Sequence, residues 1–169
     1  IPSKEFLSVL EFSETLANST SGLFDITVGP LIQLWGFSNY NDEWLPPNEV
    51  EISKLLDHIG INTWRLVEGE LQKNNPHIQI DVNAIAKGLG VDVVSSLITS
   101  FGFSNFMVEI GGEVYCSGKN DKNISWQIGI ELPEFKSRSL SKIANIADKA
   151  MATSGDYRNY FSYNGKTYS

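Results

Sequence analysis

The stretch "IQIDVNAIAKGLGVDVV", Ile78 to Val94, decides how the chain folds. It opens like a strand over 78–82 and continues as an apolar helix. Ile85, Leu89, Val93 and Leu97 recur at helical spacing, Asn83 is placed to cap the helix, and Gly102 is placed to stop it. The spacing therefore predicts a helix from Asn83 to about Ser100. At the junction stand an acid, Asp81, and a base, Lys87, followed by Gly88 and Gly90 where an ordinary buried helix would carry leucine or alanine.

The first turn of such a helix leaves amide groups without intrahelical acceptors, and its partial positive charge suits a phosphate. Lys87 adds a full charge there, and Asp81 can hold a hydroxyl, an amine or a metal-bound water. Glycine lets a ligand or another backbone come close. A blander reading stands beside this one: an Asp81–Lys87 ion pair on a solvated face, with glycines that serve helix–sheet packing.

Outward from this stretch, "SKEFLSVLEFSETLANST" has the apolar spacing of an amphipathic helix with Ser3 as its cap. "SGLFDITVGPLIQLWGF" reads as a turn, a short extended piece and a loop-like apolar plug. "NEVEISKLLDHIG" reads as a helix from about Asn48, ended by Gly60. "NTWRLVEGELQKN" is a hairpin turning at Glu68–Gly69. Downstream, "NFMVEIGGEVYCSGK" gives two strands around Gly111–Gly112, and "SWQIGIELP" a strand ended by Pro133. "SLSKIANIADKAMATSG" gives two strands around a turn near Asp148, and Asn164–Gly165 marks a last hairpin. Strands outnumber helices and many are joined as hairpins. The fold class is α+β, a largely antiparallel sheet packed with a few long helices.

Composition narrows the partners. Net charge is −7, which argues against nucleic acid or an anionic membrane as the main partner but leaves room for a small anion. The single cysteine, Cys116, excludes an intrachain disulfide and a cysteine-based zinc site. No apolar run approaches the ~18 residues of a membrane span. Both ends read as cut, so the chain is expected to be part of a longer protein.

Other residues invite chemistry. Asp25 is a lone acid among Leu23, Phe24, Ile26 and Val28, a setting that calls for a hydrogen-bonding duty. Trp35 and Phe37 read as core. Gly111–Gly112 is either a tight turn or a backbone kept bare for a flat or phosphorylated ligand. Thr153, Ser154 and Gly155 offer hydroxyls and amides in a turn, a usable anion nest, and Asp156 and Arg158 are set to pair with each other. His58 and His77 lie in polar settings, with no acid and nucleophile at recognisable spacing. No G-x-S-x-G, Walker or H-E-x-x-H motif is present.

Four stretches in this order, "FDITVGPLIQLWGF" at 24–37, "DVNAIAKGLGVD" at 81–92, "VEIGGEVYCSG" at 108–118 and "ATSGDYRNYFSYNGKTYS" at 152–169, resemble the ApbE family of FAD:protein FMN transferases. Each is modest alone; four in register are specific. The resemblance implies a T-fold-like architecture and one flavin transferase domain over 1–169, incomplete at both ends. It implies an enzyme that takes FAD as substrate with Mg²⁺, moves FMN to a threonine or serine of a target protein, and releases AMP. Some members instead hydrolyse FAD to FMN and AMP, and a non-catalytic FAD-binding protein is a further alternative. The implied targets are flavoprotein subunits of membrane redox complexes. The implied location is the periplasmic side of the bacterial inner membrane, with room for a lipid tether outside this chain.

Carried over by residue, Leu23, Phe24 and Asp25 match a segment that contacts FAD, and Asp81 and Lys87 match two further contacts. Ser154, in its turn, joins them as a flavin-binding candidate. Ala84 matches a position that gives the metal an oxygen, which an alanine can do only through its backbone carbonyl. No catalytic residue is assigned: the family's histidine would lie beyond Ser169, as would its aspartate and threonine metal ligands.

Overall fold

The computed structural model describes residues 3–37, 44–132, 139–155 and 159–169. In chain order the elements are α1 (Lys4–Ser19), α2 (Gly29–Leu34), α3 (Glu49–Leu56), β1 (Trp64–Val67), β2 (Glu70–Lys73), α4 (Asn83–Ser100), β3 (Phe106–Ile110), β4 (Glu113–Ser117), β5 (Trp126–Glu131), β6 (Leu140–Ile146), β7 (Lys149–Met151), β8 (Phe161–Tyr163) and β9 (Lys166–Tyr168). Every described strand pairing is antiparallel. The strands fall into small sheets, β1-β2, β3-β4-β7, β5-β6 and β8-β9, rather than into one broad sheet. The chain divides into two compact units, Ile1–Ala84 with Phe161–Tyr168, and Ile85–Tyr160 with Ser169.

In the first unit, Ser3 accepts the Phe6 amide and starts α1 as its sequence predicts. α1 buries Val9, Leu10, Ser13 and Ala17 on one face. Leu10 joins Ile26 and Trp64 in a core flanked by Phe6, Phe24, Leu66, Leu71, Ile80 and Val82. Asn48 and Glu51 cap α3 reciprocally, each side chain taking the other's backbone amide. The β1–β2 turn places Glu68 and Gly69 at φ 53° and 78°, and the β8–β9 turn places Asn164 and Gly165 at 48° and 74°, the paired left-handed geometry of two-residue hairpins.

Two expectations fail here. The apolar plug after Gly29 is a short helix, α2, because Pro30 sits in its first turn, where a missing amide removes no helical bond. Residues 78–82 form no strand. Ile78 is buried and Ile80 and Val82 pack on the core, so the side chains alternate as a strand's would. The backbone, however, meets the facing 24–28 segment through one bond, Asp81 N–H to Ile26 O at 2.7 Å. That segment turns at Asp25–Thr27 and enters α2, so no extended partner is left to build a ladder.

The second unit holds α4 beyond its first two residues. β3 and β4 pair from Phe106–Ser117 to Ile110–Glu113, and β7 adds to the other edge of β4. β5 and β6 form a separate ribbon with an irregularity at Ile130/Glu131. Val91, Phe106 and Val108 make one core; Val114, Cys116 and Ile146 make another. α4 spans the predicted residues and is followed by Gly102 at φ 86°. The apolar positions that predicted it are not the ones it buries: Val91 and Ser95 are buried, whereas Val93 and Leu97 are exposed. A helix apolar on every side shows its period but not which face turns inward. No described helix is long and apolar enough to cross a membrane.

Candidate functional site

The candidate residues gather locally in each unit. In the first, the carboxylate of Asp25 accepts two bonds at Oδ1, from the Thr27 amide at 2.8 Å and the Thr27 hydroxyl at 2.6 Å. The Thr27 hydroxyl in turn accepts the Gly60 amide at 2.9 Å. The duty expected of Asp25 is thus to hold a fully buried threonine that ties the 25–29 segment to the end of the α3 region. Leu23 is exposed and Phe24 packs on the core.

Asp81 is fixed beside this segment. Its amide bonds Ile26 O, and its Oδ1 accepts the Asn83 amide at 2.9 Å. Asp81, rather than Asn83, therefore satisfies an amide at the mouth of α4, since Asn83 is already its first helical residue. Gly29 is bare against it: a Cβ there would lie 3.1 Å from Asp81 Cβ and 3.4 Å from Oδ2. Ala84 is exposed in the first turn of α4.

In the second unit, Lys87 Nζ donates to Gly111 O at 3.1 Å and lies 2.8 Å from Glu113 Oε2. Its ion pair is with Glu113, not with the Asp81 that a solvated-face reading of the sequence supposes. Gly111 and Gly112 have φ 56° and 98°, and a Cβ on Gly111 would come 3.0 Å from the Lys87 stem. The Gly112 amide donates to Glu109 Oε1 at 3.0 Å. Thr153 Oγ1 lies 3.9 Å from the place of a Gly112 Cβ, and Ser154 is exposed just beyond it. Asp156 and Arg158 lie outside the described residues.

The two glycines of α4 differ. A Cβ at Gly90 would meet Ile110 Cδ1 at 3.1 Å, so this glycine serves helix–sheet packing. Gly88 has nothing within 4 Å. Gly88→Ala is expected to raise stability by about 0.5–1 kcal/mol through helix propensity alone; a lowered midpoint in urea unfolding would contradict the open surroundings.

Trp35 stands in an aromatic cluster with Trp44 and Tyr168, at centroid distances of 6.3 and 5.6 Å, and Phe37 lies 5.0 Å from Phe161. Trp35 and Phe37 are both half-buried and lie outside the buried core in which the sequence places them. His58 and His77 meet only edge to face, 5.9 Å apart. Cys116 is buried, and burial pushes its thiol up from its ordinary range, so it packs as a small apolar group rather than acting as a nucleophile. An open cavity of about 570 Å³ runs along α4, lined by Asp92, Ser95, Ser96, Thr99, Ser100 and Tyr115. None of the candidate residues lines it.

Thr27, Glu109 and Glu113 are missed by sequence reasoning. Thr27 follows its acid by two residues, the spacing of an Asx turn, and was legible. Glu113 is 26 residues from Lys87 in the chain and only the fold pairs them. Among the described residues no three His, Cys, Asp or Glu side chains converge. Mg²⁺ asks for near-octahedral oxygen coordination, and the single carbonyl of Ala84 does not make such a cage.

The ApbE family model matches residues 1–169. An FAD:protein FMN transferase of Vibrio cholerae is 41% identical over 167 residues, covering 99% of this chain and 50% of that protein. One from Haemophilus influenzae is 36% identical over 171 residues, covering 98% and 49%. Among solved structures, the flavin transferase ApbE of Vibrio cholerae superposes with a TM-score of 0.84 at 38% identity, over 95% of this chain and 52% of that one. The ApbE protein of Thermotoga maritima gives 0.85 at 30% identity, over 99% and 54%. The chain spans about half the length of the relatives it matches. With an α+β architecture shared with these flavin transferases and its whole length matched, the chain belongs to the ApbE family.

Proposed function

We propose that the protein to which these residues belong is an enzyme that transfers FMN from FAD to a threonine or serine of a target flavoprotein and releases AMP. The observation that carries this is the full-length family match, with relatives named FAD:protein FMN transferase at up to 41% identity. The residues of the α4 region have the chemistry such a substrate needs. Splitting a pyrophosphate asks mainly for positioning and for neutralised charge. Lys87 uses one ammonium hydrogen on Gly111 O and a second direction on Glu113, and its third donor is left for a phosphate oxygen. Asp81, held by the Asn83 amide, orients a donor group of the ligand. Leu23, Phe24, Asp25 and Ser154 complete the proposed flavin contacts. Mg²⁺ belongs to the proposal with the Ala84 carbonyl as this chain's one oxygen, and no step is assigned to it. The proposed target is a subunit of a membrane redox complex on the periplasmic side of the bacterial inner membrane.

The test is to incubate the full-length protein with FAD, Mg²⁺ and a candidate acceptor. A flavin-labelled acceptor with AMP supports transfer; free FMN with AMP indicates hydrolysis alone; intact FAD indicates a binder. In the same protein, Lys87→Ala is expected to weaken FAD binding by about 1–3 kcal/mol, the worth of a hydrogen bond to a charged group. Unchanged affinity by titration calorimetry would remove Lys87 from the phosphate site.

A further inference from the structure

We propose that Glu113 is a positioning residue for Lys87, an inference that rests on reading Lys87 as a pyrophosphate contact. The Glu113 side chain is 17% exposed, and its Oε2 is buried with no hydrogen-bond partner among the described residues. What faces that oxygen is the Lys87 ammonium, 2.8 Å away, an ion pair whose angles fall short of an aligned hydrogen bond. A buried carboxylate oxygen is costly unless a cation meets it, so this pairing fixes where the ammonium must be.

The surroundings serve the same end. Lysine carries a point charge on a flexible four-carbon stem, and a free stem must be ordered before the charge is useful. Here the stem lies over Gly111, where a Cβ would come within 3.0 Å of Lys87 Cδ, and the ammonium bonds the Gly111 carbonyl. The turn beneath is held from its other side, because Glu109 takes the Gly112 amide. Gly111 and Glu113 are thus a seat for one lysine: a bare residue to lie across and an acid to stop at.

Glu113 also brings a negative charge near an anionic ligand, and that opposes binding. Lys87 is 49% exposed, so water and salt screen this repulsion. Ordering a rotamer-rich side chain at a binding site costs about three- to tenfold in affinity. The positioning term wins.

The experiment uses the full-length protein with Lys87→Ala, Glu113→Gln, Glu113→Asp and the Lys87→Ala/Glu113→Gln double variant. FAD is titrated calorimetrically into each, and thermal unfolding is followed in parallel to show that each is folded. Glu113→Gln is expected to weaken FAD binding about three- to tenfold. Glu113→Asp, which keeps the charge but withdraws it by one methylene, is expected to weaken it similarly. The double variant should bind no more weakly than Lys87→Ala alone, because Glu113 acts only through the lysine. Weak binding by Lys87→Ala with wild-type or tighter binding by Glu113→Gln would overturn the inference while leaving Lys87 at the ligand. Additive losses in the double variant would overturn it as well. Wild-type binding by Lys87→Ala would instead remove the reading of Lys87 itself, and the positioning role with it.

Discussion

Gly118→Ala is expected to cost the fold about 2–5 kcal/mol, the sum of two independent penalties. Gly118 ends β4 at φ 58°, in the left-handed region, where an alanine costs roughly 1–2 kcal/mol. The added Cβ would also stand 2.5 Å from the Ser104 carbonyl oxygen and against the Asn105 side-chain oxygen. The carbonyl is backbone and cannot swing aside, so overpacking adds about 1–3 kcal/mol. Retreat is blocked by the bonds that fix this corner. The Gly118 amide donates to Asp148 Oδ1 at 2.8 Å, the Lys119 amide to Asn105 Oδ1 at 2.8 Å, and the Ser117 hydroxyl to Ser104 O at 3.0 Å. At roughly 2–4 °C per kcal/mol for a domain of this size, the midpoint of thermal unfolding should fall by about 4–20 °C. A fall of only a degree or two, followed by circular dichroism, would mean that the corner gives way freely.

Thr27→Val tests the other unit. Valine keeps the volume of threonine, so the buried site stays filled and only the hydroxyl is lost. That hydroxyl donates to Asp25 and accepts from Gly60. Its removal leaves the Gly60 amide without this acceptor and takes from Asp25 one of its two bonds. An orphaned donor costs about 1–3 kcal/mol and a bond to a carboxylate about 1.5–3, the latter discounted because Asp25 is half-buried. The expected loss is about 2–4 kcal/mol, read as a lower urea midpoint at unchanged slope. Thr27→Ser, which retains the hydroxyl, should lose less. If serine proved worse than valine, the methyl and not the hydrogen bonds would hold the segment.

The contrast between these residues explains what was legible in the sequence. Turns that depend on two adjacent residues read correctly: Glu68–Gly69, Gly111–Gly112 and Asn164–Gly165 each show the positive φ values their composition suits. So did the cap of α1, which needs only a side chain three residues from its amide. Failures came where the outcome depends on a distant partner. Residues 78–82 have a strand's alternation, but 24–28 could not offer them a ladder. Lys87 looked paired with nearby Asp81, yet its counter-ion comes from the start of β4. β6 and β7 follow each other in sequence but pair with β5 and β4 respectively, a choice that no local signal makes. For the candidate residues, the contacts they make come only from the fold.

The Gly118–Asp148 bond has a consequence for how the chain tolerates change in length. With the Cys116–Lys149 register pair beside it, this bond closes a neck between the end of β4 and the start of β7. Everything between, including the β5–β6 ribbon, leaves and returns through that neck, and the ribbon is tied again farther out where the Leu132 amide meets Ser139 O at 2.8 Å. The entropy of closing a loop rises only logarithmically, by about 0.6 kcal/mol for each doubling. Residues added away from the neck therefore tax it very little, whereas one residue added at 118 or 148 moves a partner of the bond that closes it. A tag or reporter grafted into this chain belongs away from Gly118 and Asp148, where the neck is closed.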